Sequence, residues 1–109
     1  MKFRQFEIWK TRPPDFATDH WFVIISAQER CEEPRHVAVN GLACFTLRGQ
    51  VWKSGVLLDA AEGFAAPTVC QCDFFYGLLK SKLHSCQGTV SWERQQQIKS
   101  KLKEVLRLH

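Results

Sequence analysis

The most informative residue for chemistry is an isolated carboxylate, Asp73, in an otherwise apolar stretch of cysteines and aromatic residues. The stretch covers residues 68–83 and reads TVCQCDFFYGLLKSKL. A carboxylate is costly to bury unless it is hydrogen-bonded or paired with a positive charge. We therefore expect Asp73 to be either a structural anchor that accepts backbone N–H groups or a reactive group.

A second candidate site lies in the loop LRGQVWKSG, residues 47–55, where Arg48 and Lys53 flank Trp52. An aromatic ring can stack a splayed nucleobase while neighbouring cations hold its phosphate. The loop therefore predicts contacts to single-stranded RNA, although a solvated loop with Trp52 folded onto the surface explains the same residues. Further basic candidates for substrate binding are Lys10, Arg12, Lys80 and Lys82.

The five cysteines are an odd number, and the chain starts without an apolar leader segment. Both features favour free thiols in a reducing cytoplasm. Cys70 and Cys72, with His84 and Cys86, superficially resemble a zinc site. Zinc sites usually separate their cysteines by two to four residues, whereas C-x-C on a strand only places both thiols on one face. We expect buried free thiols, and no metal or other cofactor.

The composition indicates one soluble domain covering residues 1–109. With 45% hydrophobic and 24% charged residues, the chain is not of the disordered class. A net charge of +4 suits an anionic partner such as nucleic acid or an acidic peptide. No run approaches the roughly 20 apolar residues that a membrane span needs, so we expect a cytoplasmic protein without a membrane partner.

Short apolar runs between polar or proline-containing segments predict six or so strands. They are expected at residues 6–10, 21–25, 36–46 and 55–58, twice within 68–83, and at 88–90. Within the third run, Asn40-Gly41 could form a tight hairpin turn, but a single long strand with a bulge fits nearly as well. Residues 26–35 are predicted to be a surface connection, and 59–67 to hold a single helical turn.

The C-terminal segment predicts an amphipathic helix. Ser91 is a good N-cap, and Glu93 in the first turn interacts favourably with the helix dipole. One apolar stripe follows at i, i+4, i+7 and i+8: Ile98, Leu102, Val105 and Leu106. Short strands without a β-α-β rhythm, closed by one helix, indicate a mainly β fold, a small β-barrel.

Five fragments resemble, in order and spacing, motifs of the MazF/PemK family of type II toxin–antitoxin toxins. FEIW at 6–9 resembles the family's G-D/E-I-W strand, and HWFVIIS at 20–26 is similar to R-P-V-V-V-I/L-S. LACFT at 42–46 looks like the strand that ends in a Thr or Ser pair. CDFFYGLLKSKL at 72–83 resembles C-D-Q-I/P-R-T-I/V-x-K-x-R-L, and GTVSWER at 88–94 is similar to G-x-L-S/P-x-E. The resemblance implies an SH3-like barrel with a C-terminal helix, usually paired as a homodimer.

The resemblance also implies an activity, which is ribosome-independent cleavage of single-stranded mRNA, and an antitoxin whose acidic flexible tail occupies the RNA groove. Carried over onto this chain, the family's catalytic positions are His20, Thr46 and Asp73, with Gln71 where some members have Arg. His20 stands where Arg is typical, and histidine exchanges protons near neutral pH. We expect His20 to act as general acid or base with Asp73 as its partner or the other half of the pair, and Thr46 to position a phosphate oxygen. Gln71 can only hydrogen-bond.

Two alternatives stay open at this point. Without the two family guanidiniums at positions 20 and 71, the barrel could bind RNA or a partner protein and not cleave. The other possibility is a toxin that targets a protein, since the gyrase-poisoning CcdB proteins share this Kid-like and MazF-like barrel.

Overall fold

A curled, six-stranded antiparallel sheet and one long C-terminal helix form the fold in a computed structural model that describes residues 2–107. The strands are β1 (Glu7–Thr11), β2 (His20–Ile24), β3 (Ala38–Thr46), β4 (Gly55–Leu58), β5 (Thr68–Leu79) and β6 (Ser85–Thr89). Their order in the sheet is β4-β5-β3-β2-β1-β6. The helices are α1 (Gln28–Glu32) and α2 (Trp92–Leu106), with 3-10 turns at Ala60–Glu62 and Lys80–Lys82. The predicted mainly β architecture with a C-terminal helix is confirmed.

The predicted pair of strands within residues 68–83 is wrong, because this segment forms the single long strand β5. The pairing of β5 with β3 is interrupted in the middle of the strand. Leu42 of β3 opposes Phe75, but Cys44 already opposes Cys70, so residues 71–74 of β5 lie opposite Ala43 alone. Because of this irregularity in the register, the side chains of residues 71–74 do not alternate between the two faces of the sheet as they would in a regular strand.

The predicted alternative of a hairpin at Asn40-Gly41 is also wrong, since both residues lie inside the bulged strand β3. Gly41 is there for close packing. A Cβ added to it would lie 2.6 Å from Leu78 Cδ1 and 3.3 Å from Phe22 Cβ. The missing side chain of Gly41 therefore lets the β3 backbone lie close to Leu78 and Phe22, and this packing explains the glycine without a turn.

The connection at residues 26–35 contains a short helix that was not expected, α1, whose Cys31 is buried. Lys80 completes the end of this helix: its Nζ donates to the carbonyl oxygens of Arg30 at 2.8 Å and Glu33 at 3.0 Å. A cation in this position satisfies carbonyl groups that a helix end leaves unpaired. The predicted strand at 88–90 occurs earlier, as β6.

Two apolar cores lie on the opposite faces of the sheet. One is closed by α2 and contains Ile8, Leu42 and the fully buried Ile98. The other contains Phe22 and Leu83. Successive residues of one strand point to opposite faces of the sheet, so the strands contribute apolar side chains to both cores.

Helix α2 follows its predicted pattern in part. Leu102 packs against the core beside Ile98, but Leu106 at the far end is 50% exposed. Ser91 stands at the N-cap position, yet its side chain makes no capping bond. Its backbone N–H instead donates to Glu62 Oε2 at 3.1 Å. The carboxylate of another element therefore accepts from the N–H group of the N-cap residue.

An ion cluster that the sequence did not reveal ties the turn before β5 to α2. The Arg94 guanidinium donates to both carboxylate oxygens of Asp59, at 2.7 and 3.0 Å, and to Glu62 Oε1 at 2.6 Å. Arg94 and the Ala61 N–H together lower the pKa of Asp59 to about 2. Burial opposes the charge of Glu62, but its hydrogen bonds to Asp59, Ser91 and Arg94 outweigh burial and lower its pKa.

All five cysteines are free thiols, four buried and Cys86 exposed, which corrects the expectation that Cys86 is buried. Three strands separate β5, with Cys70 and Cys72, from β6, with Cys86. Among residues 2–107, no three His, Cys, Asp or Glu side chains are grouped as metal ligands. In the same range, no helix is long and apolar enough to cross a membrane.

Candidate functional site

An open cavity of about 380 Å³ lies where the end of β3, the β3–β4 loop and the middle of β5 meet. It brings together five of the predicted site residues, although they are far apart in the sequence: Thr46, Arg48, Trp52, Gln71 and Asp73. Aromatic side chains complete the wall, among them Phe45 and Phe74. The cavity therefore combines aromatic rings, one cation and one anion at a single opening.

The β3–β4 loop forms one side of this cavity. β3 ends at Thr46, the Leu47 N–H donates to the Pro67 carbonyl at 3.0 Å, and the loop closes where the Gly55 N–H donates to the Trp52 carbonyl at 2.8 Å. This turn presents Trp52 with 74% of its surface exposed. The alternative in which Trp52 folds onto the protein surface is therefore wrong.

Asp73 owes its position to the register excursion of β5. The Cys72 N–H leaves β3 and donates to the Ser54 carbonyl at 2.9 Å, which turns Cys72 inward and Asp73 outward. Asp73 is exposed, and within the described chain it makes no hydrogen bond or ion pair. The expectation of a structural anchor is wrong, and the carboxylate is free to act on a ligand.

Gln71 precedes this excursion and lies opposite Gly55 on β4. Its side-chain carbonyl oxygen Oε1 is buried, and no donor from residues 2–107 reaches it. The oxygen rests against Gly55, where an added Cβ would be 2.7 Å away. A buried acceptor without a donor lowers the free energy of unfolding by about 1–3 kcal/mol.

His20 begins β2 beside the cavity and does not line it. Its ring stands edge-on to Phe16, with centroids 4.6 Å apart, and to Phe45 at 5.6 Å. Nδ1 lies 3.2 Å from the Thr18 carbonyl oxygen. Since a carbonyl can only accept, this contact puts a hydrogen on Nδ1 and leaves Nε2 for proton exchange.

The expected direct partnership of His20 and Asp73 is not present in the free chain. No hydrogen bond or ion pair joins the two side chains. Phe45 contacts His20 on one side and Phe74, the neighbour of Asp73, on the other, with centroids 5.6 Å apart in both pairs. The sequence did not indicate that Phe45 and Phe74 line the cavity, because the irregular register of β5 changes which of its residues face the cavity.

The other predicted binding residues lie in several places. Lys53 is exposed on the outer side of the β3–β4 loop, beside Arg48 and Trp52. The ammonium group of Lys10 lies 4.9 Å from the ring centroid of Trp21, where a cation–π contact holds it. The structure does not bring Lys10 to the cavity.

Three more predicted binding residues, Arg12, Lys80 and Lys82, lie away from the cavity. Lys80 is engaged by the end of α1. Arg12 lines a separate cleft of about 340 Å³ with Lys82 and His84. In that cleft His84 Nε2 lies 3.4 Å from Asp19 Oδ2. This second basic cleft was not foreseen, because the loop after β1 and the segment after β5 meet only in the fold.

Comparison with known proteins identifies the fold. No model of a protein family matches the sequence, and no curated protein sequence matches it. Solved structures do. An endoribonuclease in complex with its cognate antitoxin from a mycobacterial species shares 18% identity over 98% of this chain and 97% of its own, with a TM-score of 0.82.

Two further structures agree with the first. The Mycobacterium tuberculosis toxin MazF-mt6 shares 17% identity over 94% of this chain and 98% of its own, with a TM-score of 0.80. The MazE–MazF complex from Deinococcus radiodurans matches at 13% identity over 100% and 99%, with a TM-score of 0.78. The chain has the fold of the MazF toxins over its whole described length.

Proposed function

We propose that this protein is the toxin of a toxin–antitoxin pair and an endoribonuclease that cleaves single-stranded RNA without a metal ion. The observation that carries the proposal is the cavity itself. The carboxylate of Asp73, which has no partner among residues 2–107, shares one aromatic-walled opening with the Thr46 hydroxyl, the Arg48 guanidinium and Trp52. The likeness of the fold to MazF endoribonuclease structures supports it.

The chemistry is an attack of the 2′-oxygen on the adjacent phosphorus. Asp73, an exposed carboxylate, has a lone pair that accepts the 2′-OH proton. His20, which can carry a proton on Nε2, gives it to the departing 5′-oxygen. The bond from phosphorus to the 5′-oxygen breaks as the bond to the 2′-oxygen forms, so the products are a 2′,3′-cyclic phosphate and a 5′-hydroxyl.

The proposed mechanism does not require His20 and Asp73 to be in contact. In an in-line displacement the entering and leaving oxygens lie on opposite sides of phosphorus, so the base and the acid do not need to touch. Thr46 donates a hydrogen bond to a non-bridging phosphate oxygen, and Arg48 stabilises the growing negative charge. Trp52 stacks a base beside the scissile bond.

Purified protein incubated with long single-stranded RNA and EDTA tests the proposal. We expect cleavage that leaves cyclic phosphate ends, and none at a position where the 2′-hydroxyl is replaced by hydrogen. His20→Ala and Asp73→Ala are each expected to lose about a hundredfold or more in rate. His36→Ala, an exposed histidine in the connection after α1, is the matched control. Wild-type rates in both site variants would refute the assignment.

A binding protein without nuclease activity is the alternative, favoured by one observation. Among residues 2–107, Arg48 is the single guanidinium at the cavity, and positions 20 and 71 are His and Gln. RNA retention in a gel without cleavage would support this alternative. Gyrase inhibition without RNA cleavage would instead indicate a toxin directed at a protein.

We also propose two partners. An antitoxin with an acidic flexible tail would cover Arg48, Trp52 and Lys53, where positive charge and an exposed ring lie together. A second copy of the chain would cover the alternate positions Phe75 and Leu79 of β5, which are 42% and 50% exposed on one face of the strand. Light scattering on the wild type and on Leu79→Glu tests the homodimer: a monomeric wild type contradicts it.

A further inference from the structure

The second basic cleft, of about 340 Å³, contains positive charge that the proposed reaction does not use. Arg12 and Lys82 are exposed, and among residues 2–107 neither side chain forms a hydrogen bond or an ion pair. The carboxylate of Asp19, which also lines the cleft, lies 3.4 Å from His84 Nε2. Within the described residues, the lining thus carries two permanent cations and one anion.

The cavity that holds Asp73 has no such surplus of positive charge. Among the described residues, Arg48 and Asp73 contribute one positive and one negative charge to its lining, so their sum is zero. RNA adds a negative charge with every nucleotide, and proteins that bind single strands neutralise phosphates along a basic groove. An RNA strand in the cavity therefore needs positive charge nearby, and the second basic cleft provides it.

His20 connects the cavity and the cleft. On the cavity side its ring contacts Phe45, which lines the cavity. On the cleft side it follows Asp19 in the chain and pairs with Thr11 across the ladder of β1 and β2, and both of these residues line the cleft. An extended RNA strand that passes His20 can therefore contact both openings.

The loop that joins β1 to β2 gives the cleft a fixed shape. Two adjacent prolines, Pro13 and Pro14, restrict its backbone, and the Phe16 N–H donates to the Pro13 carbonyl at 3.0 Å. The Phe16 ring packs against His20 and Tyr76, with centroids 4.6 and 5.0 Å apart. The cleft is therefore preformed beside His20, which lowers the entropy cost of binding a ligand there.

We propose that the second basic cleft binds the phosphates of the RNA that follow the scissile bond, with Arg12 and Lys82 as the cations that hold them. The proposal rests on the proposed function and deepens it. In the proposed reaction His20 gives its proton to the departing 5′-oxygen, which belongs to the nucleotide after the scissile phosphate. The strand therefore leaves the reacting phosphorus on the side of His20, and its next phosphates lie toward the cleft. The nucleotides before the scissile bond lie with Trp52 and Asp73 in the cavity.

Substrate length tests which side of the scissile bond the cleft holds. An oligonucleotide with one mapped cleavage site in its middle is shortened either on the 3′ side, to the single nucleotide after the scissile bond, or on the 5′ side, to the single nucleotide before it. We expect Arg12→Gln with Lys82→Gln to lower kcat/KM about tenfold on the full-length and 5′-shortened substrates. On the 3′-shortened substrate the variant is expected to match the wild type. Equal losses on the two shortened substrates, or no loss on the full-length one, would overturn the proposal.

Arg4→Gln with Lys103→Gln is the matched control, because both side chains are exposed and the net charge falls by the same two units. Arg4 precedes β1, whereas Arg12 follows it, and Lys103 lies on α2. The control is expected to keep the wild-type kcat/KM on all three substrates, and a loss as large as in the cleft variant would overturn the proposal. Because Leu79 lines the cleft and also belongs to the face proposed for a second copy, light scattering checks that both variants keep the wild-type oligomeric state.

Binding without cleavage separates this proposal from the proposed function. Fluorescence anisotropy follows a 2′-O-methyl form of the full-length oligonucleotide over a range of salt concentrations. Loss of two phosphate contacts is expected to make the slope of log affinity against log salt concentration less steep by about 1.4. A wild type that cuts no RNA, with this change of slope in the cleft variant, refutes the nuclease and supports phosphate binding in the cleft. Cleavage with the same slope in both proteins refutes the cleft and leaves the nuclease intact.

An acidic peptide is the other anionic partner that the charge of the cleft suits. Poly-glutamate, titrated under the same conditions, is the probe for it. A cleft variant that loses affinity for poly-glutamate and keeps the wild-type affinity for RNA would overturn the proposal.

Discussion

Arg94 and Glu62 meet at 2.6 Å, and the Glu62 side chain is completely buried. The pair joins the turn before β5 to the first turn of α2, and Glu62 also accepts from the backbone of Ser91. Removing one partner would leave an uncompensated charge in the interior, whereas an exposed pair can lose its partner at little cost.

Arg94→Met is therefore expected to lower the free energy of unfolding by about 3–5 kcal/mol, because it strands the Glu62 carboxylate in the interior. Urea denaturation measures the change. Arg35→Met is the control: Arg35 is 88% exposed in its pair with Glu33 and is expected to cost less than about 1 kcal/mol. Equal losses in the two variants would contradict a structural role for the buried pair.

Acid is expected to weaken the same cluster through Asp59. Its pKa is lowered to about 2 in the folded protein, below the ordinary value of about 3.9. A carboxyl whose pKa is lowered on folding stabilises the fold above the unfolded value, and this contribution disappears as the pH falls through the folded value. The urea midpoint should thus fall between about pH 4 and pH 2, and less steeply in Asp59→Asn. An identical slope in the variant would exclude Asp59 as the cause.

Two glycines on facing strands should respond oppositely to alanine. Gly41→Ala brings a Cβ to 2.6 Å from Leu78 Cδ1, and overpacking of this kind costs about 1–3 kcal/mol. Gly77 faces Asn40, the neighbour of Gly41, across the ladder, and no atom lies within 4 Å of its added Cβ. Gly77→Ala should leave thermal stability unchanged or slightly higher. Loss of stability in Gly77→Ala but not in Gly41→Ala would refute the packing argument.

Trp52 should contribute to RNA affinity without contributing to stability. It is 74% exposed on the β3–β4 loop, and stacking of one base is worth about 1–3 kcal/mol. Trp52→Ala is expected to weaken binding of a 2′-O-methyl oligonucleotide about tenfold or more at an unchanged melting temperature. Trp92→Ala is the matched control, since Trp92 is 72% exposed at the start of α2, away from the cavity. Anisotropy titrations that rank the two variants equally would remove the loop from the RNA site.

Local patterns predicted those parts of the fold that depend on near neighbours in the chain. The apolar run at 21–25 became β2, residues 55–58 became β4, and the spacing of Ile98 and Leu102 predicted the buried side of α2. These predictions are correct because alternation and helical periodicity act over a few residues. The hairpin at Asn40-Gly41 was wrong because the glycine serves packing with Leu78, a contact made across strands.

The amino-acid sequence by itself determined the residue types of the candidate site, from Thr46 and Arg48 through Trp52 to Gln71 and Asp73. Only the tertiary structure decided that these five share one cavity and that Asp73 is exposed, without a partner among the described residues. It also decided that Lys80 completes a helix end instead. The physical reason is the register of β5 against β3. Four residues of β5 lie opposite a single residue of β3, and this irregularity points Cys72 inward and Asp73 outward. It depends on hydrogen bonds to segments that are distant in the sequence, which no local pattern contains.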